Sequence, residues 1–517
     1  MKLVTAKEMQ EIDKKAITEY AVPGILLMDT AAQAVADTVY ETLEIINGES
    51  VVIFCGGGNN GGDGLGAARW LAAYGVSVRV FLVGCTLDSV SGDAVLELEM
   101  LNKAGGRVEA VVTEDDWVLA ELAARRADII VDALIGTGFH GELRGDVLRA
   151  CQLLNESGKY ILAVDIPTGV NADNGSAAEQ AVHADCTLTM GLAKTGLFFY
   201  PGSEYCGEIK IVSLGVPAKL LNECSSNKYR LTDDLVCELL PLRKANAHKG
   251  EAGRVVVCAG SPGFVGAAAL CSNAAVKAGA GLVSLYTPLS SRDVLAVKLN
   301  EVMVKGLLER MPGILGGGSV NDVVQNANNA DILAIGPGLG TSESTQAVVR
   351  EILLKTEVPT VIDADALTAL KDHTEILEQM QAFKVITPHL GEMSRLTGLS
   401  VTDIDERKLD IAVEYAKKWR SVVVLKGAPT IIACPEGTVY VNSTGSSALA
   451  TGGSGDVLTG IIAGIAAQGI SLVEAAVCGV YLHGLAADLH GADIGLAAGE
   501  LAELLPEARK HIIYSAE

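Results

Sequence analysis

Aromatic side chains make up only 4% of this 517-residue chain, and its 40 Lys and Arg are outnumbered by 63 Asp and Glu. A formal charge of −23 repels phosphate backbones and anionic lipid surfaces, and few rings are available to stack on bases. Neither nucleic acid nor a membrane is expected as a partner. There is no Cys-x-x-Cys pair and no His-Glu-x-x-His, so the usual zinc spacings are missing. The 11 cysteines are odd in number and scattered, several in apolar runs such as those around Cys55 and Cys258. They read as buried free thiols in a reducing, cytoplasmic setting. The opening MKLVTAKEMQEIDKK is interrupted by charges before any apolar stretch forms, unlike a secretory leader. Residues 457–473 carry no charge, but the window is short and holds Thr459 and Gln468, so a buried core helix is expected there rather than a membrane span. No short-period repeat is visible.

What is present is ample apolar content, 49% of residues, and 57 glycines. Enough surface can be buried for sizeable cores, and the length suits two large domains. Thr5 and Glu8 form a capping box ahead of a helix with Met9, Ile12 and Ala16 on one face. A second helix is predicted over 25–45. Strands are predicted over 51–55, 76–83, 128–134, 160–166, 186–191 and 208–214, with helical patterns between the first four. This alternation argues for a parallel α/β sheet with right-handed crossovers. The polar stretch 221–234 breaks the rhythm, which places a first domain over 1–222, a linker over 223–234 and a second domain over 235–517. The second series of strands covers 254–260, 281–287, 331–336, 359–365, 383–388 and 421–427. A hairpin over 430–435 and 438–442 then turns at Glu436-Gly437. Two small-residue helices, 455–468 and 471–489, are expected to close the chain, and their Ala/Gly faces suggest packing between subunits of a homo-oligomer.

The first predicted strand runs into GGGNNGGDGLGAARWL, where Gly56, Gly58 and Gly61 satisfy G-x-G-x-x-G. Such a turn brings backbone N–H groups and a helix N-terminus to a phosphate. A dinucleotide fold usually adds an acid at the end of the next strand, but that strand ends FLVGCTL. The loop instead carries Asn59, Asn60 and Asp63, more polar groups than a structural turn needs. Asp132 and Asp165 end two further strands, each followed by a Gly-Thr or Thr-Gly pair. In a parallel sheet these ends line the ligand crevice. Asn60, Asp132 and Thr168 offer hard oxygen atoms to an alkali or alkaline-earth cation.

In the second series, Gly260, Gly263 and Gly266 follow one strand and Gly336, Gly338 and Gly340 another. Asp363 and Asp365, then His389 and Glu392, then Lys426 stand at successive strand ends. The most telling element is SALATGGSGDVLTGIIAGIAA. Gly452, Gly453 and Gly455 leave the backbone bare at a helix N-terminus, an anion hole for a transferring phosphoryl group, and Asp456 beside it can take a proton from a hydroxyl.

NNGGDG, the D-x-L-x-G-T-G run at Asp132 and V-D-I-P-T-G at Asp165 resemble NAD(P)H-hydrate epimerase over roughly residues 1–220. H-K-G-x-x-G, A-G-S-P-G-F-x-G-A-A, G-P-G-L-G, D-A-D-A-L, T-P-H-x-G-E, K-G-A-P-T and G-G-S-G-D resemble the ADP/ATP-dependent NAD(P)H-hydrate dehydratases of the ribokinase-like superfamily, over roughly 235–505. The resemblance implies an N-terminal Rossmann-like αβα sandwich and a C-terminal ribokinase-like α/β domain. In the first it implies potassium on Asn60, Asp132 and Thr168. It also implies hydrated nucleotide on Asn59, Asn60, Gly61, Gly62, Asp63, Gly136, Thr137, Gly138, Phe139, His140, Gly141, Glu142 and Asp165. Asp165 would be the acid/base group, with Lys194 as a second catalytic or phosphate-binding group. In the second domain Ala267, Gly338, His389 and Asp456 would contact the hydrated nucleotide. Lys426, Gly427, Ala428, Pro429, Thr430 and Gly455 would hold ADP or ATP, and Glu392 would help hold magnesium. The fusion implies repair of both epimers of NAD(P)H-hydrate in one chain. A ribokinase-type small-molecule kinase with an N-terminal nucleotide-binding module is the alternative that the second domain alone permits.

Overall fold

Thr5 Oγ1 accepts a hydrogen bond from the Glu8 amide while the Glu8 carboxylate accepts one from the Thr5 amide, closing the expected capping box. Helix Ala6–Glu19 follows and buries Met9, Ile12 and Ala16. Helix Gly24–Ile46 comes next. The computed structural model describes residues 1–515 and divides into two compact units, Lys2–Ser226 and the chain from Asn227 onward.

The first unit carries a wholly parallel sheet in the order Val108–Val111, Ser77–Val83, Ser50–Cys55, Ile129–Ala133, Tyr160–Val164, Cys186–Met190, Glu208–Val212. The outermost strand, Val108–Val111, is absent from the sequence reading because four residues are too few to show a period. The chain builds outward from Ser50–Cys55, then returns to its other side at Ile129–Ala133. That reversal opens a crevice at the carboxyl ends of these two neighbours. Apolar clusters cover both faces, one under the first two helices and one under helices Glu114–Arg126 and Gly145–Glu156.

In the second unit the order is Val302–Leu307, Leu282–Pro288, Arg254–Cys258, Ile332–Ile335, Thr360–Ile362, Lys384–Ile386, Val422–Leu425, Thr430–Ala433, Val439–Asn442, Lys228–Arg230. Pairing is parallel up to Val422–Leu425, and the expected antiparallel hairpin follows. The last strand, Lys228–Arg230, lies within the stretch read as a linker. Here the reversal falls between Arg254–Cys258 and Ile332–Ile335.

Helices Ser454–Ala466 and Leu472–His490 stand close to where they are predicted, but a third, Ala498–Ser515, closes the chain. Its interior Pro506 breaks the helical pattern in the sequence. A Cβ added at Gly460 would come within 2.0 Å of the Cys271 carbonyl oxygen, and one at Gly464 within 2.4 Å of that of Ala275. The small residues of this helix are therefore used inside the unit, against helix Val265–Lys277. Leu472–His490 is the one helix, among the described residues, long and apolar enough to cross a membrane, and 78% of its apolar window is buried. All the cysteines are free thiols.

Candidate active sites

In the first unit the crevice is a cavity of about 630 Å³. Helix Asn59–Ala73, which follows Ser50–Cys55 and a short glycine turn, delivers Asn59, Asn60 and Asp63 to it from its first turns. The loop after Ile129–Ala133 delivers Gly136, Thr137 and Gly138, the carboxyl end of Tyr160–Val164 delivers Asp165, and the segment after Cys186–Met190 delivers Lys194. Asp165 has φ +65, a left-handed backbone that a non-glycine residue adopts at a cost of about 1–3 kcal/mol. That turn aims its carboxylate at Lys194. Asp165 Oδ1 accepts hydrogen bonds from Lys194 Nζ at 2.5 Å, the Met190 amide at 3.1 Å and Thr189 Oγ1 at 3.3 Å. Lys194 is 1% exposed and also donates to the Met190 carbonyl. A solvated surface lysine is thereby excluded. Burial first, and then the neighbouring Asp165 and Glu97, push the Asp63 carboxyl well above the usual carboxylate range.

Eight of the residues carried over by resemblance do not line this cavity. Gly61 and Gly62 are buried beneath it. A Cβ at Gly61 would sit 1.8 Å from the Gly56 carbonyl oxygen, and one at Gly62 would strike Met28, so both are glycine to let the helix pack closely. Phe139 turns into the apolar core. His140, Gly141 and Glu142 are exposed beyond the cavity, with the His140 ring 3.2 Å from the Asn171 amide. Asp132 and Thr168 lie just behind the wall. Asp132 is fully buried and accepts from the Thr168 hydroxyl (2.7 Å), the Thr168 amide (2.8 Å) and the Leu134 amide (3.2 Å). Burial raises its carboxyl to about 6, and only neutral groups oppose that shift. Asn60 packs against Gly136 and buries an amide nitrogen without a partner.

Asp13 also lines the cavity, from helix Ala6–Glu19. The sequence reading passed over it. The available signal was a carboxylate four residues after Met9, on the face that buries Met9, Ile12 and Ala16.

In the second unit the polar groups gather at the head of helix Ser454–Ala466. Its N-cap is Gly453 (φ +97), and no side chain caps it. Its first amides are left to a ligand. His483 secures this end. Burial lowers its pKa to about 4, so the ring is neutral, and Nε2–H donates to the Ser454 carbonyl at 2.9 Å. Lys426 Nζ lies 2.9 Å from Asp363 Oδ1, and a Cβ at Gly455 would sit 3.3 Å from it. Thr459 Oγ1 donates to Asp363 Oδ2 at 2.7 Å. Between Asp363 and Asp365, Ala364 holds φ +50, and Asp365 accepts from the Gly340 amide at 2.8 Å. Burial, reinforced by Asp363 and countered by Lys426, raises the Asp456 carboxyl to about 6. Ala267 adjoins Gly338, where a Cβ would lie 3.0 Å from that of Ala267. The exposed ring of Phe264 belongs to the same corner and had not been singled out.

His389 has a structural duty: its Nδ1 accepts from the Gly391 and Glu392 amides and caps helix Leu390–Thr397. Glu392 Oε2 accepts from the His389 amide in return at 2.8 Å. Thr430 Oγ1 donates to the Gly427 carbonyl at 2.9 Å, bracing the loop of Gly427, Ala428 and Pro429. Among the described residues no three His, Cys, Asp or Glu are grouped to hold a metal ion.

Residues 25–196 match the family described as YjeF-related protein N-terminus, and residues 255–508 the family described as NAD(P)H-hydrate dehydratase. A protein of Moorella thermoacetica named bifunctional NAD(P)H-hydrate repair enzyme Nnr is 41% identical over 516 residues, covering 99% of this chain and 97% of its own. This chain belongs to the bifunctional NAD(P)H-hydrate repair enzymes. A member from Thermofilum pendens is 39% identical over 98% of this chain and 96% of its own. The crystal structure of the ADP/ATP-dependent NAD(P)H-hydrate dehydratase from Bacillus subtilis, co-crystallized with ATP/Mg2+, is 32% identical. It covers 55% of this chain and 98% of its own, with a TM-score of 0.48. The enzyme thus joins an epimerase and a dehydratase, and both of its units are α/β folds, as the sequence implied.

Proposed function

We propose that the first unit interconverts the R and S epimers of NAD(P)H-hydrate, and that the second dehydrates the S epimer at the expense of ADP or ATP. The observation that carries the reading is the head of helix Ser454–Ala466, with amides uncapped by any side chain, a cation beside them and a carboxyl in the first turn.

In the second unit Asp456 takes the proton of the ring hydroxyl, whose oxygen then attacks the terminal phosphoryl group. Amides at Gly453 to Gly455 and the Lys426 ammonium stabilise the charge that develops there. Lys426, Gly427, Ala428, Pro429 and Thr430 with Gly455 hold the nucleotide, while Ala267, Gly338 and the outer nitrogen of His389 hold the hydrate. The phosphate ester leaves as the ring nitrogen donates its lone pair, and loss of the carbon-5 proton restores the reduced nicotinamide. Magnesium, when bound, neutralises phosphate charge. With no three carboxylates grouped to hold it among the described residues, and Glu392 tied into a helix cap, it would enter on the phosphates themselves.

In the first unit Asp165, in its salt bridge with Lys194, exchanges the proton at the carbon-6 oxygen. Asn60, Asp132 and Thr168 suit potassium: the Asp132 carboxylate is buried with only neutral partners, so the site is short of positive charge, and all three side chains carry a hard oxygen.

Recovery of absorbance at 340 nm from mixed-epimer NADH-hydrate with magnesium and ADP or ATP tests the proposal. Complete recovery by the wild type, with release of free phosphate, is expected. A stable phosphorylated alcohol and no recovery would identify a kinase instead.

A further inference from the structure

Asp13 enters the epimerase cavity from helix Ala6–Glu19, whereas Asp165 and Lys194 enter it past the carboxyl ends of strands Tyr160–Val164 and Cys186–Met190. Its Oδ1 is buried and has no hydrogen-bond partner. Met9, Ile12 and Ala16 complete the packing of that helix face, and a carboxylate adds nothing to it. The contrast with Asp165 is direct. Three donors hold one oxygen of Asp165 in place, and one of them is an ammonium. Asp13 keeps an oxygen free to give or take a proton. Burial lifts its carboxyl to about 6, with Lys194 drawing it down and Asp165 pushing it further up. The other charged groups facing the cavity are Asp63, whose carboxyl lies well above the usual range, and Asp93 at the mouth of helix Ala94–Lys103.

Epimerisation at a carbon that bears both a hydroxyl and a ring nitrogen needs two proton carriers. The carbon–oxygen bond breaks as the nitrogen lone pair forms a carbon–nitrogen double bond. The departing oxygen must take a proton to leave as water. Water then adds to the other face, its oxygen bonding to carbon and its extra proton going to a base, while the electron pair returns to nitrogen. One proton is delivered and one is collected, so no oxidant or reductant is required. A single carboxyl on one wall serves only one of these events.

We infer that Asp13 is the second acid/base group of the epimerase, exchanging the proton on one face of the ring while Asp165, paired with Lys194, exchanges it on the other. The assignment rests on the proposed placement of epimerisation in this cavity. In the forward direction Asp13 protonates the leaving hydroxyl and Asp165 receives the proton of the incoming water. In reverse the roles exchange.

The test uses the full chain and purified R epimer without nucleotide, so that only conversion to S is read. Asp13→Asn should lower kcat by at least ~10²-fold with KM changed by less than about threefold, and the limb of the pH profile near 6 should vanish. Dehydration of purified S epimer by the same variant with ADP should be unchanged. A kcat within about threefold of wild type, or a loss confined to KM, overturns the inference. If Asp13→Asn abolishes the melting transition of the first unit, Asp13→Glu decides. Retained turnover with a displaced pH limb supports the role, and an unmoved limb overturns it. Wild type that converts R to S while Asp13→Asn does so equally well refutes Asp13 alone. Wild type that converts nothing refutes the epimerase placement with it.

Discussion

The Lys426 ammonium donates to Asp363 Oδ1 across 2.9 Å at the head of helix Ser454–Ala466, with Glu392 Oε2 3.7 Å away. Burial by itself would lower the lysine's pKa, but Asp363 and Glu392 outweigh it and hold the group above its ordinary value. The charge therefore persists where it is partly buried. One cation compensates a carboxylate that is 1% exposed and also faces the amides where a phosphoryl group would sit.

Replacing that cation should damage fold and chemistry together. Lys426→Met leaves Asp363 buried without its partner, a loss of about 3–5 kcal/mol in unfolding free energy by urea denaturation. Dehydration should disappear while R-to-S conversion continues. A loss below about 1 kcal/mol would mean that Thr459 alone satisfies Asp363.

Asp456 should show activity and stability moving in opposite directions. Its carboxyl must be ionised to act as a base, so dehydration should fall as pH drops through about 6. Asp456→Asn should lower kcat by at least ~10²-fold. Folding raises this pKa, so the folded state binds the proton more tightly than the unfolded chain. The favourable contribution is complete below the unfolded value and is lost as pH rises through about 6. At pH 8 the wild type carries a carboxylate that the fold disfavours. Asp456→Asn should therefore melt higher than wild type at pH 8, and the gap should shrink toward pH 4. Thermal unfolding at the two pH values measures this.

Potassium should act on the first unit only. Exchanging potassium for choline is expected to slow R-to-S conversion and lower the first melting transition, leaving dehydration of purified S epimer unaffected. Asp132→Asn should make both readouts indifferent to potassium. A variant that still responds to the ion like wild type would place the cation elsewhere.

Much of this architecture is legible in the chain. Several glycine-rich turns follow a β-branched run, and Asp132, Asp165 and Asp363 stand at strand ends, because parallel sheets present ligands at those ends. The predicted strands and the Thr5–Glu8 capping box depend on local periodicity and local hydrogen bonds, so they stand where they are expected. Short edge strands such as Val108–Val111 and the Pro506-interrupted final helix lack the periodic signal that such a reading needs.

Side-chain direction is another matter. Phe139 belongs to a run read as ligand-binding, yet its neighbours in the fold draw it into the core. His389 spends its inner nitrogen on capping its own helix. Asp13 looks like one more surface charge until the carboxyl ends of the strands bring Lys194 and Asp165 to its cavity. Residue type and order determine which chemistry this chain can perform, since carboxylates, lysines and bare glycine amides are local properties. Which of those groups are buried, and which pair with one another, depends on partners far away in sequence, as with Asp363 and Thr459 or Asp165 and Lys194. Desolvation and charge pairing arise only when the chain has folded, so those assignments came from the tertiary structure alone.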